Sequence, residues 1–261
     1  YEGRVTMVGN FSEAFAGIFS GLLAVYSLRL PFYVQSGIAF IGIPAAVALT
    51  EHAAKTRIKN SFANIVQIIQ YSLFTNKELC YNIMFSGVIG AATLTMAWFV
   101  QPLLIELDTP TSWFGIIWTI LNLTVGISAL YSDKLDQRLG SLRMYTLILF
   151  FIVGGYIAVA FNISYIGLVC LFFFYIVRGF ATPILKGYIN QITFSEMRAT
   201  VLSIRNFIIR LMFAAMAPLV GWLHDLYSLS IALQATAAII FVPGLLFLIL
   251  QYRYKPRETS L

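Results

Sequence analysis

The sequence predicts an all-α polytopic membrane protein, and three observations carry that prediction. Of 261 residues, 59% are hydrophobic and only 11% charged, for a mean hydropathy of +0.83. A chain of this size has no soluble core large enough to take so much apolar surface out of water. Apolar runs of membrane length recur, since about 20 residues of helix cross the hydrocarbon of a bilayer. Eight spans are expected, at residues 7–28, 32–49, 79–105, 113–131, 145–161, 165–188, 200–223 and 231–252. The basic residues, finally, alternate by loop. Fourteen of the seventeen fall on one side: Arg4, Lys55, Arg57, Lys59, Lys77, Lys134, Arg138, Arg143, Lys186, Arg198, Arg205, Arg253, Lys255 and Arg257. The opposite loops hold only Arg29, while Arg178 and Arg210 lie inside spans. Cytoplasmic loops carry the excess of Lys and Arg, so both ends are expected in the cytoplasm, in a multi-pass protein of the plasma membrane.

The charge distribution and composition also remove function classes. A net charge of +6 spread over loops, without a basic patch interleaved with aromatics, does not fit nucleic-acid binding. Cys80 and Cys170 sit at different depths within spans, which does not suit a disulfide, and both read as small packing residues. The sequence has no HExxH motif, no pair of membrane aspartates and two scattered histidines, so no catalytic residue, metal or cofactor is expected. An intramembrane lipid-modifying transferase or protease is therefore one rival reading, to be recognised by a converging acid–base pair. A receptor or structural membrane protein is the other, to be recognised by the lack of a cavity between bundles.

Residues 1–50 are expected to hold two spans. Ala16, Ser20 and Ala24 stand at four-residue spacing on the first, with Gly17 and Gly21 beside them, which lets another helix approach closely. Glu13 lies six residues into that span. A carboxyl at such depth needs a partner, a proton or water, and two readings stay open: a proton or substrate contact, or an interfacial carboxyl near the headgroups. Arg29 and Pro31 make the turn into the second span. The chain opens on Tyr1 without a charged leader and cleavage site, so the first span is not a signal peptide. Residues 2–9 match residues 196–203 at an offset of 194 with three identities, and each copy opens a span. Parallel repeats of this size are a transporter feature. If the second copy opens a fifth helix of six, so does the first, and four further spans are expected upstream of Tyr1.

Residues 51–78 change character. The segment is polar and basic, with Phe62, Ile65, Val66, Ile69 and Leu73 at helical spacing, and reads as an amphipathic helix on the inner membrane surface linking two bundles. His52 reads as a solvated loop residue. From 79 to 252 six spans follow, with a short cytoplasmic tail at 253–261. Asn82, Ser86, Thr93, Ala97 and Gln101 line one face of the third span, with Trp98 and Pro102 near its outer end. Trp118, Asn122, Ala129 and Asp133 recur along the fourth. Such polar stripes face the protein or a cavity, or serve as hydrogen-bond glue between helices. Glu106 and Asp108 lie at the outer rim. The loop 129–140 carries Asp133, Lys134, Arg138 and Gly140 between two spans, a charge cluster able to lock helix ends in one conformation.

The two spans at 165–188 and 200–223 carry the residues most in need of explanation. Arg178, with Tyr175, Thr182 and Lys186 on its face, lies about thirteen residues into its span, about 20 Å along a helix, and cannot easily snorkel to either surface. Arg210, with Thr200, Ser203 and Asn206, lies about ten residues in. Arg205 is expected to snorkel to the interface. An ionised group at bilayer depth costs at least about 2.5–3.5 kcal/mol, so it faces a bundle interior or a watery cavity. Pro183, Pro218, Gly179, Gly187 and Gly221 offer points where helices could bend. The last span is nearly free of polar residues and reads as a lipid-facing support.

The loop Ser132-Asp133-Lys134, Arg138, Gly140 resembles the signature that the major facilitator superfamily of secondary transporters carries between the second and third helices of each half. Ala129 and Asp136 stand where glycines are usual. Arg198-Ala199-Thr200-Val201-Leu202-Ser203, followed by Pro218, Gly221 and Asp225, is similar to the fifth-helix region of the second half. The resemblance covers the whole chain, read as helices five to twelve of twelve. It implies two six-helix bundles around a midplane site that opens alternately to each side. The expected function is secondary active transport of a small solute, coupled to a proton, extending to antiport and efflux of drugs or metabolites, by a monomer in the lipid bilayer. Arg178, Asn122, Gln101, Trp98 and Glu13, with Arg210 and Asn206, are the expected pathway residues. Asp133, Lys134, Arg138 and Gly140 are the expected cytoplasmic gate.

Overall fold

A computed structural model of the chain describes residues 2–27, 29–48 and 62–254. His52, Lys55, Arg57 and Lys59, the side chain of Ala24, and Lys255 and Arg257 of the tail lie outside the described residues. Every described element is helical: α1 Glu2–Tyr26, α2 Leu30–Val47, α3 Phe62–Gln70, α4 Lys77–Glu106, α5 Thr111–Leu130, α6 Ser132–Leu139, α7 Ser141–Phe161, α8 Tyr165–Gln191, α9 Arg198–Leu226 and α10 Leu229–Tyr254. Six of them, α4, α5 and α7–α10, are long and apolar enough to cross a membrane. Eight spans were expected; α1, of 25 residues, and α2, of 18, lie where the first two were expected, and the six are those that meet the length and hydropathy of a span among the described residues.

The boundaries follow local chemistry. The side chain of Asn76 caps α4, accepting from the Leu79 amide at 3.0 Å, and the Ser164 hydroxyl caps α8 from the Ile166 amide at 3.2 Å, each satisfying a donor that a helix start leaves unpaired. Between α5 and α7 an inner loop carrying a charge cluster was expected. Residues 132–139 instead form α6, and the turn out of it needs Gly140, whose φ of +75° disfavours a side chain. Pro183 and Pro218 do not interrupt their helices; in an apolar setting neighbouring helices tolerate the lost backbone bond.

The six long helices share one core around Phe85, Tyr156, Phe174 and Tyr175, all at most 1% exposed. Helix α10 packs against α7, α4 and α9, α5 and α7 both pack on α8, and α9 packs on α4. The last helix is thus a bundle member, with Thr236 and Gln251 buried. Helix α1 lies along α5 and also touches α8. Its close approach runs through Ala14, Gly17 and Gly21, where a Cβ on Gly17 would stand 3.2 Å from the Thr119 hydroxyl. Ala16 and Ser20, the expected contact stripe, are exposed.

The amphipathic helix is present as α3, continued by a π-helical turn Tyr71–Thr75. Ile68, Tyr71 and Leu73 face a second small core of Leu79, Ile83, Ile189, Val201 and Ile208. Phe62 and Ile65, expected on the apolar face that lies on the membrane, are exposed to the surroundings of the protein. The repeat found in sequence opens α1 at Glu2 and immediately precedes α9 at Arg198.

Candidate functional site

Halfway along α8 the structure gathers a polar layer inside an apolar bundle. The Arg178 guanidinium lies over the Tyr175 ring, 5.2 Å from its centroid, an arrangement in which the ring face attracts the cation. Arg178 Nη1, the Tyr175 hydroxyl and Asn122 Oδ1 are all buried without a hydrogen-bond partner. They come to one depth because α5 and α8 run side by side. A Cβ on Gly179 would meet the Val125 carbonyl oxygen at 2.6 Å and Ser128 at 2.7 Å, so one turn further out Tyr175 and Asn122 stand level. Only glycine permits this approach. Tyr156 donates to the Ala92 carbonyl at 2.6 Å and meets Phe174 edge-on at 5.5 Å, which brings α4 and α7 to the same layer. Leaving a buried polar atom unpaired costs about 1–3 kcal/mol, and three of them at one level mark a place built to be completed by something that enters.

Glu13 is exposed on α1, next to Ala14, whose carbonyl accepts from Thr119 Oγ1 of α5 at 3.0 Å. It lies within electrostatic reach of the Tyr175 hydroxyl. The remaining pathway candidates sit on α4 and α9. Trp98 is 67% exposed and stacks on Phe213 at 6.4 Å, and Gln101, Asn206 and Arg210 are exposed. A Cβ on Gly90 would meet Ile209, which sets Arg210 near the level of Ala92 and hence of the Arg178 layer. The structure thus sets Arg178 and Asn122 at about one depth of the adjacent α8 and α5, brings Glu13 into reach of Tyr175, and leaves Gln101, Trp98, Asn206 and Arg210 on open faces of two other helices.

The basic end of the bundle differs from expectation. Arg205 does not snorkel: it is 5% exposed, its Nε donates to Ser86 Oγ, and its Nη1 donates to Asn206 Oδ1 at 3.1 Å. Seven residues into α9, it is about 10 Å from the helix start, and its stem runs inward to α4. Ser86 and Asn82 on α4 are likewise interhelical glue, Asn82 Oδ1 accepting from the Tyr145 hydroxyl of α7. Asp133, Lys134 and Arg138 are exposed on α6, with Lys134 Nζ 5.9 Å from the Tyr131 ring centroid. Asp136 takes the contact across to another helix, accepting from the Tyr188 hydroxyl of α8. Tyr188 leans on Tyr145 at 5.0 Å, and a cavity of about 80 Å³ opens among Glu78, Asn82, Tyr145, Tyr188 and Gln251. Asp136 could have been found from its place in the loop, where a carboxylate replaces a usual glycine.

Helix α1 closes over this end. Asn190 of α8 donates to Glu2 Oε1 at 3.1 Å, and Gly3 packs on the Ala129 carbonyl and Ser132. The Glu2 carboxylate also lies within electrostatic reach of Lys186 and Arg205. Four helix ends therefore meet around one acid and two buried or half-buried bases.

A comparison with curated proteins finds no match. The family model described as Major Facilitator Superfamily matches residues 2–208, from the first residue of α1 into α9. That match spans the Arg178 layer, the α5–α6–α7 connection and the start of the second repeat copy, and by it the chain belongs to the Major Facilitator Superfamily of membrane transporters.

Proposed function

We propose that the protein moves a small solute across the plasma membrane by alternating access, two helical bundles rocking about the layer at Arg178. In this reading α1 and α2 end one bundle, α3 belongs to the cytoplasmic linker, and α4–α10 form the other, with both ends cytoplasmic and the protein a monomer. The observation that carries it is the set of three unpaired polar atoms on Arg178, Tyr175 and Asn122, buried at one depth of a helical bundle. Intramembrane ionisable groups mark solute and ion pathways. Gln101, Trp98, Asn206 and Arg210 extend the pathway along α4 and α9. Glu13 takes the coupling proton, and exchange of a proton for an outgoing solute makes the protein an antiporter.

The contacts at the basic end form the inner gate. Asp133, Lys134, Arg138 and Gly140 shape α6 and its turn, Asp136 holds it to Tyr188, and Glu2 holds α1 to Asn190. These bonds must break when that side opens.

Transport at equal expression of the wild type and Arg178→Ala tests the proposal. Abolished or redirected transport is expected, and unchanged transport removes Arg178 from the pathway. Glu13→Gln is expected to keep downhill movement of solute but lose uphill movement driven by a pH gradient. Uphill movement that persists in that variant takes the proton role from Glu13.

A further inference from the structure

We infer that the solute is an organic anion whose carboxylate or phosphate group seats on the edge of the Arg178 guanidinium. The inference rests on the transport reading and names the substrate class of the same site. Three features of the layer carry it. The guanidinium carbon lies 5.2 Å from the Tyr175 ring centroid, and the buried Nη1 has no acceptor. A buried guanidinium N–H without an acceptor is matched best by an anionic oxygen, and carboxylate and phosphate groups supply such oxygens in the planar geometry that arginine takes up.

The layer also lacks its own counter-charge. Among the described residues no carboxylate is within ion-pair distance of Arg178. Glu13, the acid of α1 at this level, bears on Tyr175. An arginine without a paired carboxylate leaves the layer positive. A positive site between low-dielectric walls raises the local concentration of anions and repels cations.

The third feature is the polar pair beside the arginine. The Tyr175 hydroxyl is an unused donor, and the Asn122 side-chain oxygen is an unused acceptor, its Nδ2 being spent on the Trp118 carbonyl at 3.0 Å. An anionic head on Arg178 takes the Tyr175 hydroxyl proton as a further bond. A hydroxyl or amide one bond further along the solute can donate to Asn122. A bare cation would satisfy neither the guanidinium nor the phenol and would be repelled by Arg178.

The test is retention of solutes by the purified, detergent-solubilised protein from a defined mixture of benzoate, lactate, glycerol 3-phosphate, inorganic phosphate, choline, benzylamine and glucose, read by mass spectrometry. The wild type is expected to retain one or more of the four anions. Arg178→Gln is expected to lower that retention by at least about tenfold, the loss for removing one charged partner of a buried hydrogen bond, and Arg178→Lys is expected to restore part of it. Benzoate or lactate over the two phosphates assigns a carboxylate head, and the reverse assigns a phosphate head. Retention of choline, benzylamine or glucose with no anion, unaffected by Arg178→Gln, overturns the inference while leaving the transport reading standing. Retention of none of the seven by monodisperse wild type contradicts the inference and the transport reading together. Ser203→Ala, on the exposed face of α9 near its start, controls for nonspecific loss and is expected to retain as the wild type does.

Discussion

Two arginines one helix apart show how burial decides what a charge does. Arg205 and Arg178 both sit in apolar helices, yet only the first has its donors answered, by Ser86 and Asn206. Arg205 therefore ties α9 to α4, whereas Arg178 Nη1 is left without an acceptor. Ser86→Ala takes the acceptor away from a buried guanidinium and is expected to destabilise the protein by about 1–2 kcal/mol, read as a lowered thermal melting midpoint. Arg205→Met added to Ser86→Ala should recover most of that loss, since replacing both partners of a buried polar contact by apolar groups is nearly neutral. A double variant less stable than Ser86→Ala would mean that Arg205 contributes something beyond this bond. The sequence placed Arg205 among the snorkelling residues because position within a span says how deep a Cα lies but not which way the long side chain turns. Arg178, thirteen residues into its span, is half-buried, and its Nη1 is buried.

Helices α5 and α8 are positioned by a single small residue. A Cβ on Gly179 would already lie 2.6 Å from a backbone oxygen of α5, and backbone cannot rotate aside as a side chain can. Gly179→Leu is expected to push the two helices apart, break the level alignment of Tyr175 with Asn122, and leave little monodisperse protein after extraction. Yield and elution profile equal to wild type would show that the alignment does not depend on this contact. The long helices were legible in sequence because membrane length and continuous hydropathy impose them, and the ends of α4, α5 and α7–α10 fall within a few residues of the expected spans. Helix α6 was not. Its eight residues, SDKLDQRL, are too polar and too short for a span signal, and packing on α8, with the ends of α5 and α7, gives it a place. The same limit hid the role of Asp136, whose partner Tyr188 lies 52 residues away in the chain. Contacts of that range are fixed by packing and leave no local periodicity. The amphipathic α3 was visible as a pattern, but the π-helical turn that continues it, and the packing of Ile68 and Tyr71 on the small core, were not.

At the scale of the molecule, composition, loop charges and the internal repeat all pointed to one family, and the family match over residues 2–208 agrees. Helix α1 carries Asn10, Ser12 and Glu13 on a span-length element that lies in contact with α5 and α8. A helix that faces other helices and a solute path can afford polarity that one facing lipid cannot. The contact of α1 with both α5 and α8 is what turns a list of polar residues into a proposed pathway, because it brings Glu13 over the Tyr175–Arg178 layer and Glu2 over Asn190.

The central claim is that this layer is reached by water from each side of the membrane in turn. Asn122→Cys in a background of Cys80→Ser and Cys170→Ala places one thiol in the layer without touching Arg178. Labelling by a membrane-impermeant thiosulfonate, added to the outside of cells and, separately, to inside-out vesicles from the same cells, measures access from each face. The account predicts that the introduced thiol is modified from both faces, and that a retained anion slows both reactions. Modification from one face only, or from neither in protein that is folded and inserted, would contradict it.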